Sequence, residues 1–133
     1  MDHESALVTA EVKLAIGSAK SVASFSGRWA NQMGSTMDLS VAGTDVIGTY
    51  TSLNSSGGGP ITGSLKGVTA GDLISFTVLW PGGSITAWVG QMVDEATAPR
   101  IKTLWHLVTE VEDAHEPTKL WMSVLAGADE FHR

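Results

Sequence analysis

From position 25 onward, apolar residues alternate with polar ones, and turn-forming residues break the alternation roughly every 8 to 12 positions. A period of two is the mark of a strand with one face buried. The pattern predicts strands near 25–31, 35–41, 46–51, 61–66, 73–80, 84–92, 100–111 and 119–125. Between them lie Met33-Gly34, Ala42-Gly43, Gly57-Gly58-Gly59-Pro60, Ala70-Gly71, Pro81-Gly82-Gly83, a loop over 94–99 and an acidic stretch over 110–117. Most of these joins are short, so consecutive strands should be antiparallel neighbours. Eight such strands in simple order close most naturally into an all-β, eight-stranded antiparallel up-and-down β-barrel, because closure leaves no unpaired edge. A two-sheet sandwich is the alternative. Residues 1–24 read differently. Val8, Val12, Ala15, Ala19 and Val22 recur at spacings of three to four, which fits one face of a helix, with Gly17 interrupting. The expected organisation is an N-terminal leader over 1–24, helical or disordered, and a barrel domain over 25–133.

Bulk properties narrow the function classes. At 133 residues the chain is long enough for one core and not for two. Hydrophobic residues make up 43% and charged residues 17%, a balance that argues against disorder. A net charge of -6 with eight scattered basic residues speaks against a nucleic-acid partner, since phosphate contacts need clustered Lys and Arg. No apolar run approaches the roughly 18 residues of a membrane-spanning helix, so no membrane partner is expected. Glu11 and Lys13 break the apolar region that a signal peptide would need. With no cysteine, disulfides, thiolate metal sites and cysteine nucleophiles drop out together, and the redox compartment stays open.

The candidate chemistry is that of a pocket. The run G-R-W-A-N-Q-M-G-S-T over 27–36 sets the Asn31 amide and the Ser35 hydroxyl four residues apart across a Gly34 turn. Tyr50 and Ser52, two apart, point to the same face of a strand. Trp80, Trp88, Trp105 and Trp121 each sit in their own apolar segment. Small polar groups facing several tryptophans suit a compact ligand that is polar at one end and apolar around it. Catalytic readings find little support. His115 stands among Glu110, Glu112, Asp113 and Glu116, a solvated acidic loop whose spacing fits no zinc or EF-hand pattern. His106 should point out of the barrel if Trp105 points in. No G-x-S-x-G elbow is present, and Gly57-Gly58-Gly59 lacks the lysine and helix of a phosphate loop. Asn54-Ser55-Ser56 is formally a glycosylation acceptor, meaningful only in a eukaryotic secretory path.

Six segments together resemble the avidin/streptavidin family of biotin-binding proteins: 27–36, G-T-Y-T-S at 48–52, I-T-G at 61–63, T-A-W-V-G-Q at 86–91, R-I-K-T-L-W at 100–105 and L-W-M-S-V-L-A-G-A-D at 120–129. The resemblance implies a non-catalytic, high-affinity biotin binder without metal or cofactor. It assigns Asn31, Ser35 and Tyr50 as donors to the ureido oxygen, and Ser52 and Asp129 as acceptors for the two ureido N–H groups. Asp129 is further expected to orient the Asn31 amide. Trp80, Trp88 and Trp105 would line the pocket, Thr86 would face the ring sulfur, and Ser84 would meet the ligand carboxylate together with a backbone N–H near Asn54. Trp29 also matches a family tryptophan, and its place in the first strand makes it a core plug.

The same resemblance implies a homo-oligomer, a tetramer in preference to a dimer, with Trp121 reaching over a neighbour's pocket. Ala30 and Ala128 stand where streptavidin has a tyrosine and an interface histidine, so some interface contacts differ. Family members are usually exported, which makes a secreted or periplasmic location the expectation. The alternative function is an avidin-like oligomeric barrel that acts as a scaffold or prefers another small ligand, motivated by the short glycine-rich stretch over 53–60 and by the leader.

Overall fold

The computed structural model describes residues 2–16, 24–54, 57–113 and 124–133. Ala19, Val22, Ser55, Ser56, His115, Trp121 and positions 119–123 of the expected eighth strand lie outside the described residues. Among the described residues one helix, α1 (His3–Ile16), precedes eight strands: β1 (Gly27–Asn31), β2 (Thr36–Ala42), β3 (Asp45–Ser52), β4 (Ile61–Ala70), β5 (Leu73–Leu79), β6 (Ile85–Val93), β7 (Arg100–Val108) and β8 (Val124–His132). Each strand pairs antiparallel with the next, and β8 returns to β1, so the sheet closes into an up-and-down barrel. The sandwich alternative is thereby set aside. Among the described residues no helix is long and apolar enough to cross a membrane.

Alternation in the sequence becomes inside and outside of the barrel. In β2 the inward residues Met37 and Leu39 are buried while Asp38 and Ser40 are exposed. The same rule places Phe76 and Val78 of β5, Trp88 and Met92 of β6, and Ile101 of β7 in one continuous core. One end of that core is plugged by Phe25, Trp29 and Phe131, all at most 1% exposed. The Trp29 indole donates to the Phe25 carbonyl at 2.9 Å, so a buried tryptophan keeps its polar handle satisfied. Arg133 closes this end from outside. Its guanidinium lies 4.1 Å from the centre of the Trp29 ring and donates to the Ser24 and Ser26 carbonyls at 2.9 and 3.0 Å.

The seams are unequal. The β6–β7 and β7–β8 ladders each carry nine residue pairs, whereas β1 and β8 share two, Ala30 with His132 and Asn31 with Phe131. Three strands differ from the sequence expectation by more than two residues. β7 ends at Val108 and not at 111. β4 continues past 66 to Ala70, because its small residues stay in register with β5 until the tight turn at Gly71-Asp72. The largest difference is β8, expected over 119–125 and found at Val124–His132. Its stretch A-G-A-D-E consists of residues that are depleted in strands. Nine pairs with β7 hold it extended regardless.

Candidate functional site

The site begins where β1 runs into its turn. Asn31 is the last residue of β1 and is 6% exposed. Its side-chain oxygen accepts from the backbone N–H groups of Met33 and Ser35, both at 3.0 Å. Gly34, at φ +83°, supplies the left-handed residue that lets the chain fold back over that oxygen. Two backbone donors on one amide oxygen fix the orientation of the side chain, so the Asn31 NH₂ faces into the barrel. There it donates to the Tyr50 hydroxyl at 3.1 Å.

This arrangement sets the polarity of three buried groups. The Tyr50 oxygen already accepts from Asn31, so its own proton is available to a third party. Ser35 is 6% exposed, and its hydroxyl oxygen accepts a long bond of 3.4 Å from the Leu53 N–H, which again leaves its proton available. Asn31 keeps a second N–H. Three donors therefore belong to one connected network drawn from β1, the turn after it, and β3. Burial pushes the Tyr50 phenol above its ordinary value, the Asp129 charge adds to the rise, and the bond from Asn31 opposes it. The phenol thus keeps its proton throughout the neutral range.

A second group has the opposite polarity. The Ser52 hydroxyl donates its single proton to the Asn54 carbonyl at 3.0 Å, so only lone pairs remain for another partner. The Asp129 carboxylate is held at both oxygens: Trp88 Nε1 donates to Oδ2 at 2.9 Å and Gln32 Nε2 to Oδ1 at 2.9 Å. Its backbone carbonyl accepts from the Thr103 hydroxyl at 3.0 Å. The expectation that Asp129 orients the Asn31 amide is corrected here. Backbone N–H groups orient Asn31, and Asp129 is bound instead to Trp88 and Gln32.

Aromatic rings join the two poles. Tyr50 stacks on Trp88 with centroids 4.8 Å apart, Phe76 also stacks on Trp88 at 5.0 Å, and Trp80 stands edge-on to Tyr50 at 5.7 Å. The Trp80 indole donates to the Thr86 hydroxyl at 2.9 Å, which frees the Thr86 proton. Trp105 is the cross-strand partner of both Trp88 and Gly127. A Cβ on Gly127 would lie 2.5 Å from the Trp105 ring, so the absence of a side chain there is what lets the indole lie over β8. Ser84 is half-buried in the β5–β6 turn, where its carbonyl accepts from the Trp80 N–H at 3.0 Å. Asn54 is exposed.

Ten sequence-predicted residues, Asn31, Ser35, Tyr50, Ser52, Trp80, Thr86, Trp88, Trp105, Ser84 and Asp129, thus fall on the inner face or in the turns bordering it, with Asn54 outside at the rim. Trp121 is outside the described residues. Trp29 sits in the core plug, apart from the polar groups. Sequence reasoning missed Gln32, Phe76 and Gly127. Gln32 follows Asn31, so period-two alternation sends it to solvent. Phe76 reads as ordinary core. Gly127 could have been found only by noticing that a large ring needs an empty place across the ladder.

An open groove of about 740 Å³ lies on the outer wall, lined among others by Val89, Leu104 and Ala128. Gln32 and Asp129 border it, but the tryptophans and the donor network lie on the other side of the sheet. Chemically, the inner site can grip a small planar group that presents one acceptor toward Asn31, Ser35 and Tyr50 and donors toward Ser52 and Asp129, with indole rings around it. Among the described residues no three His, Asp or Glu side chains group as a metal site.

Comparison with known proteins places this geometry in context. The family model for the Avidin family matches residues 19–133. Afifavidin from Afifella pfennigii is 35% identical over 104 residues, which is 71% of this chain and 64% of that protein, so the chain spans less than two thirds of that relative's length. The crystal structure of Xenavidin superposes with a TM-score of 0.70 at 29% identity, covering 81% of this chain and 95% of that one. A solved chain named AVR2 gives a TM-score of 0.72 at 27% identity, covering 86% and 98% respectively.

Proposed function

The chain belongs to the avidin family, and on that premise we propose that it binds biotin without transforming it. The observation that carries this reading is the division of hydrogen-bonding polarity inside the barrel. A urea has one carbonyl oxygen and two N–H groups. The Asn31, Ser35 and Tyr50 protons match the oxygen, and the Ser52 and Asp129 lone pairs match the two N–H groups. Converging donors favour the polarised form of the urea, as an oxyanion hole favours an oxyanion. Trp80, Trp88 and Trp105 supply rigid apolar area that loses little side-chain entropy on binding. Thr86 would meet the ring sulfur, and Ser84 with the backbone near Asn54 the carboxylate. Titration calorimetry or tryptophan fluorescence with free biotin tests this directly. Saturable binding of one biotin per chain is expected, and no response at micromolar biotin would overturn the proposal.

A second observation favours the assembly reading as an accompaniment to binding. The outer wall of β5 to β8 is apolar where it should be polar: Leu79, Ile85, Val89, Leu104, Val108 and Val124 are all exposed, at 44–69%. Ladder partners align them into one patch, with Ile85 beside Val108, Val89 beside Leu104, and Val108 beside Val124. A contiguous patch of this kind marks an interface on a soluble protein. Ala128 faces outward on this wall opposite Leu104, so the substitution noted in the sequence falls within it. The proposed state is a homo-oligomer, with Trp121 as the residue that would cross to the neighbour. Native mass spectrometry with and without biotin reads subunit number and occupancy together. A monomer in both conditions would remove the assembly reading and leave the binding reading in place.

A further inference from the structure

The β1–β8 seam has two ladder pairs, yet it divides the donor pole, which starts at Asn31 on β1, from the acceptor Asp129 on β8. Something must hold the two strands in register just beyond Asn31, where the ladder stops. We infer that Gln32 is a positioning residue of the binding site, acting through Asp129; the inference rests on the ligand-binding reading above. The Gln32 side-chain oxygen accepts from the Glu130 backbone N–H at 3.1 Å, and its Nε2 donates to Asp129 Oδ1 at 2.9 Å. A primary amide carries an acceptor and a donor on one planar group, as a peptide unit does. It therefore extends the ladder by one side-chain rung after the backbone of β1 has turned away.

The consequence for Asp129 is a carboxylate held at both oxygens and a backbone carbonyl held as well. Gln32 takes one oxygen, Trp88 of β6 takes the other, and Thr103 of β7 takes the residue's own carbonyl. Each carboxylate oxygen keeps a further lone pair. A ligand N–H then meets an acceptor that already points the right way, and the ordering cost falls on folding, not on binding. The geometry also explains the side-by-side placement of Asn31 and Gln32. The first turns inward and supplies a donor to the ligand. The second stays on the rim and fixes the acceptor opposite.

Two variants and one ligand-free measurement test this. Gln32→Ala should weaken biotin binding about tenfold, the scale of one hydrogen bond to a charged group, and should speed hydrogen exchange of the Glu130 amide about fivefold or more without ligand. Gln32→Glu places a second carboxyl against Asp129, and two carboxylates in contact cannot both stay ionised cheaply. Its affinity should fall at least about tenfold at pH 8 and return to within about threefold of wild type near pH 5, where one shared proton restores the donor. Wild type should vary by less than about threefold over that range. Arg100, Lys102, Glu130 and His132 on the outer wall and Tyr50 inside are common to both proteins, so the difference between the two profiles isolates position 32. A merely structural role would not give a pH-dependent rescue. If Gln32→Ala does not fold, the Gln32→Glu profile stands alone as the test. Unchanged affinity and unchanged Glu130 exchange in Gln32→Ala, or a pH-independent Gln32→Glu, overturns the inference. If wild type fails to bind biotin, the ligand assignment falls, and the Glu130 exchange still decides whether Gln32 holds the seam.

Discussion

At the inner end of the site, Asn31, Ser35 and Tyr50 are buried and have their other hydrogen-bonding partners already fixed. At the outer end, Ser52, Ser84 and Trp105 are half-buried and Asn54 is exposed. The inner groups are set by elements that cannot easily move: a four-residue turn between β1 and β2, a ladder, and the stacking of Tyr50 and Phe76 on Trp88. Ser52, Asn54 and Ser84 depend on the β3–β4 and β5–β6 connections, while Trp105 is carried by β7. In a dry interior each unpaired polar group costs its full desolvation, so polarity there must be arranged in advance. At the rim, water can replace a missing partner. The same hydroxyl is therefore worth more at the inner end than at the outer.

The most damaging way to break the inner end is Asp129→Ala. It leaves a ligand N–H and the Trp88 indole without their acceptor. Binding should weaken by about 2 to 3 kcal/mol, or roughly 30- to 150-fold, measured by calorimetry. An equal affinity would show that the two poles do not act on one ligand.

Tyr50→Phe comes next, at about 1 to 2 kcal/mol of lost binding, because a donor disappears and one Asn31 N–H loses its acceptor. Tyr50 is the only tyrosine, so its titration can be followed by tyrosinate absorbance without interference. Its folded pKa is raised, which means that the folded state holds its proton after the unfolded chain has lost it. Below the unfolded value, about 10, both states are protonated and the shift contributes nothing. Above it, unfolding is favoured by about 1.4 kcal/mol for each pH unit until the folded value is reached. Wild type should therefore lose stability in alkali more steeply than Tyr50→Phe in denaturant titrations. Parallel slopes would show that the phenol is more open to water than its surroundings indicate.

Moving outward, Gly127→Ala sharpens the comparison. A methyl group there meets the Trp105 ring and must displace it. A loss of about 1 kcal/mol or more in binding is expected, with a shift in tryptophan emission, since overpacking usually costs about 1 to 3 kcal/mol. The smallest effects belong to Ser84→Ala and Asn54→Ala. Each should change free-biotin affinity by less than about threefold: water can take the place of the Ser84 hydroxyl, and Asn54→Ala keeps the backbone N–H. Ser84→Ala should matter more in competition between biotin and short biotinyl peptides, which differ at the carboxylate end. A larger loss for Ser84→Ala than for Asp129→Ala would invert the comparison.

Much of the fold was legible in the chain, and for a local reason. Period-two alternation and glycine turns place strands without any knowledge of their partners, and seven of the eight strands lie close to where the pattern puts them. β8 did not, because Ala, Gly and Asp have no strand preference of their own. Its extended state comes from β7, and its small side chains make sense only with Trp105 lying over Gly127. In the site, Asn31, Ser35, Tyr50 and Ser52 could be read because two short segments carry them. Gln32 could not. Its role needs Asp129 and Glu130, almost a hundred residues away, and alternation alone assigns it to water.

The sequence by itself determined which residue types stand on the inner face and, through resemblance, which family they belong to. Those properties follow from side-chain chemistry at fixed short spacings. Only the tertiary structure decided the direction of each hydrogen bond: that Asn31 is turned by its own backbone, that Tyr50 and Ser35 are left to donate and Ser52 to accept, and that Asp129 is aimed by Trp88 and Gln32. A hydroxyl or an amide can serve either way, and which way it serves is set by the partner it already has. Here the partners come from β1, β3, β6 and β8, strands that closure of the barrel brings around a common interior.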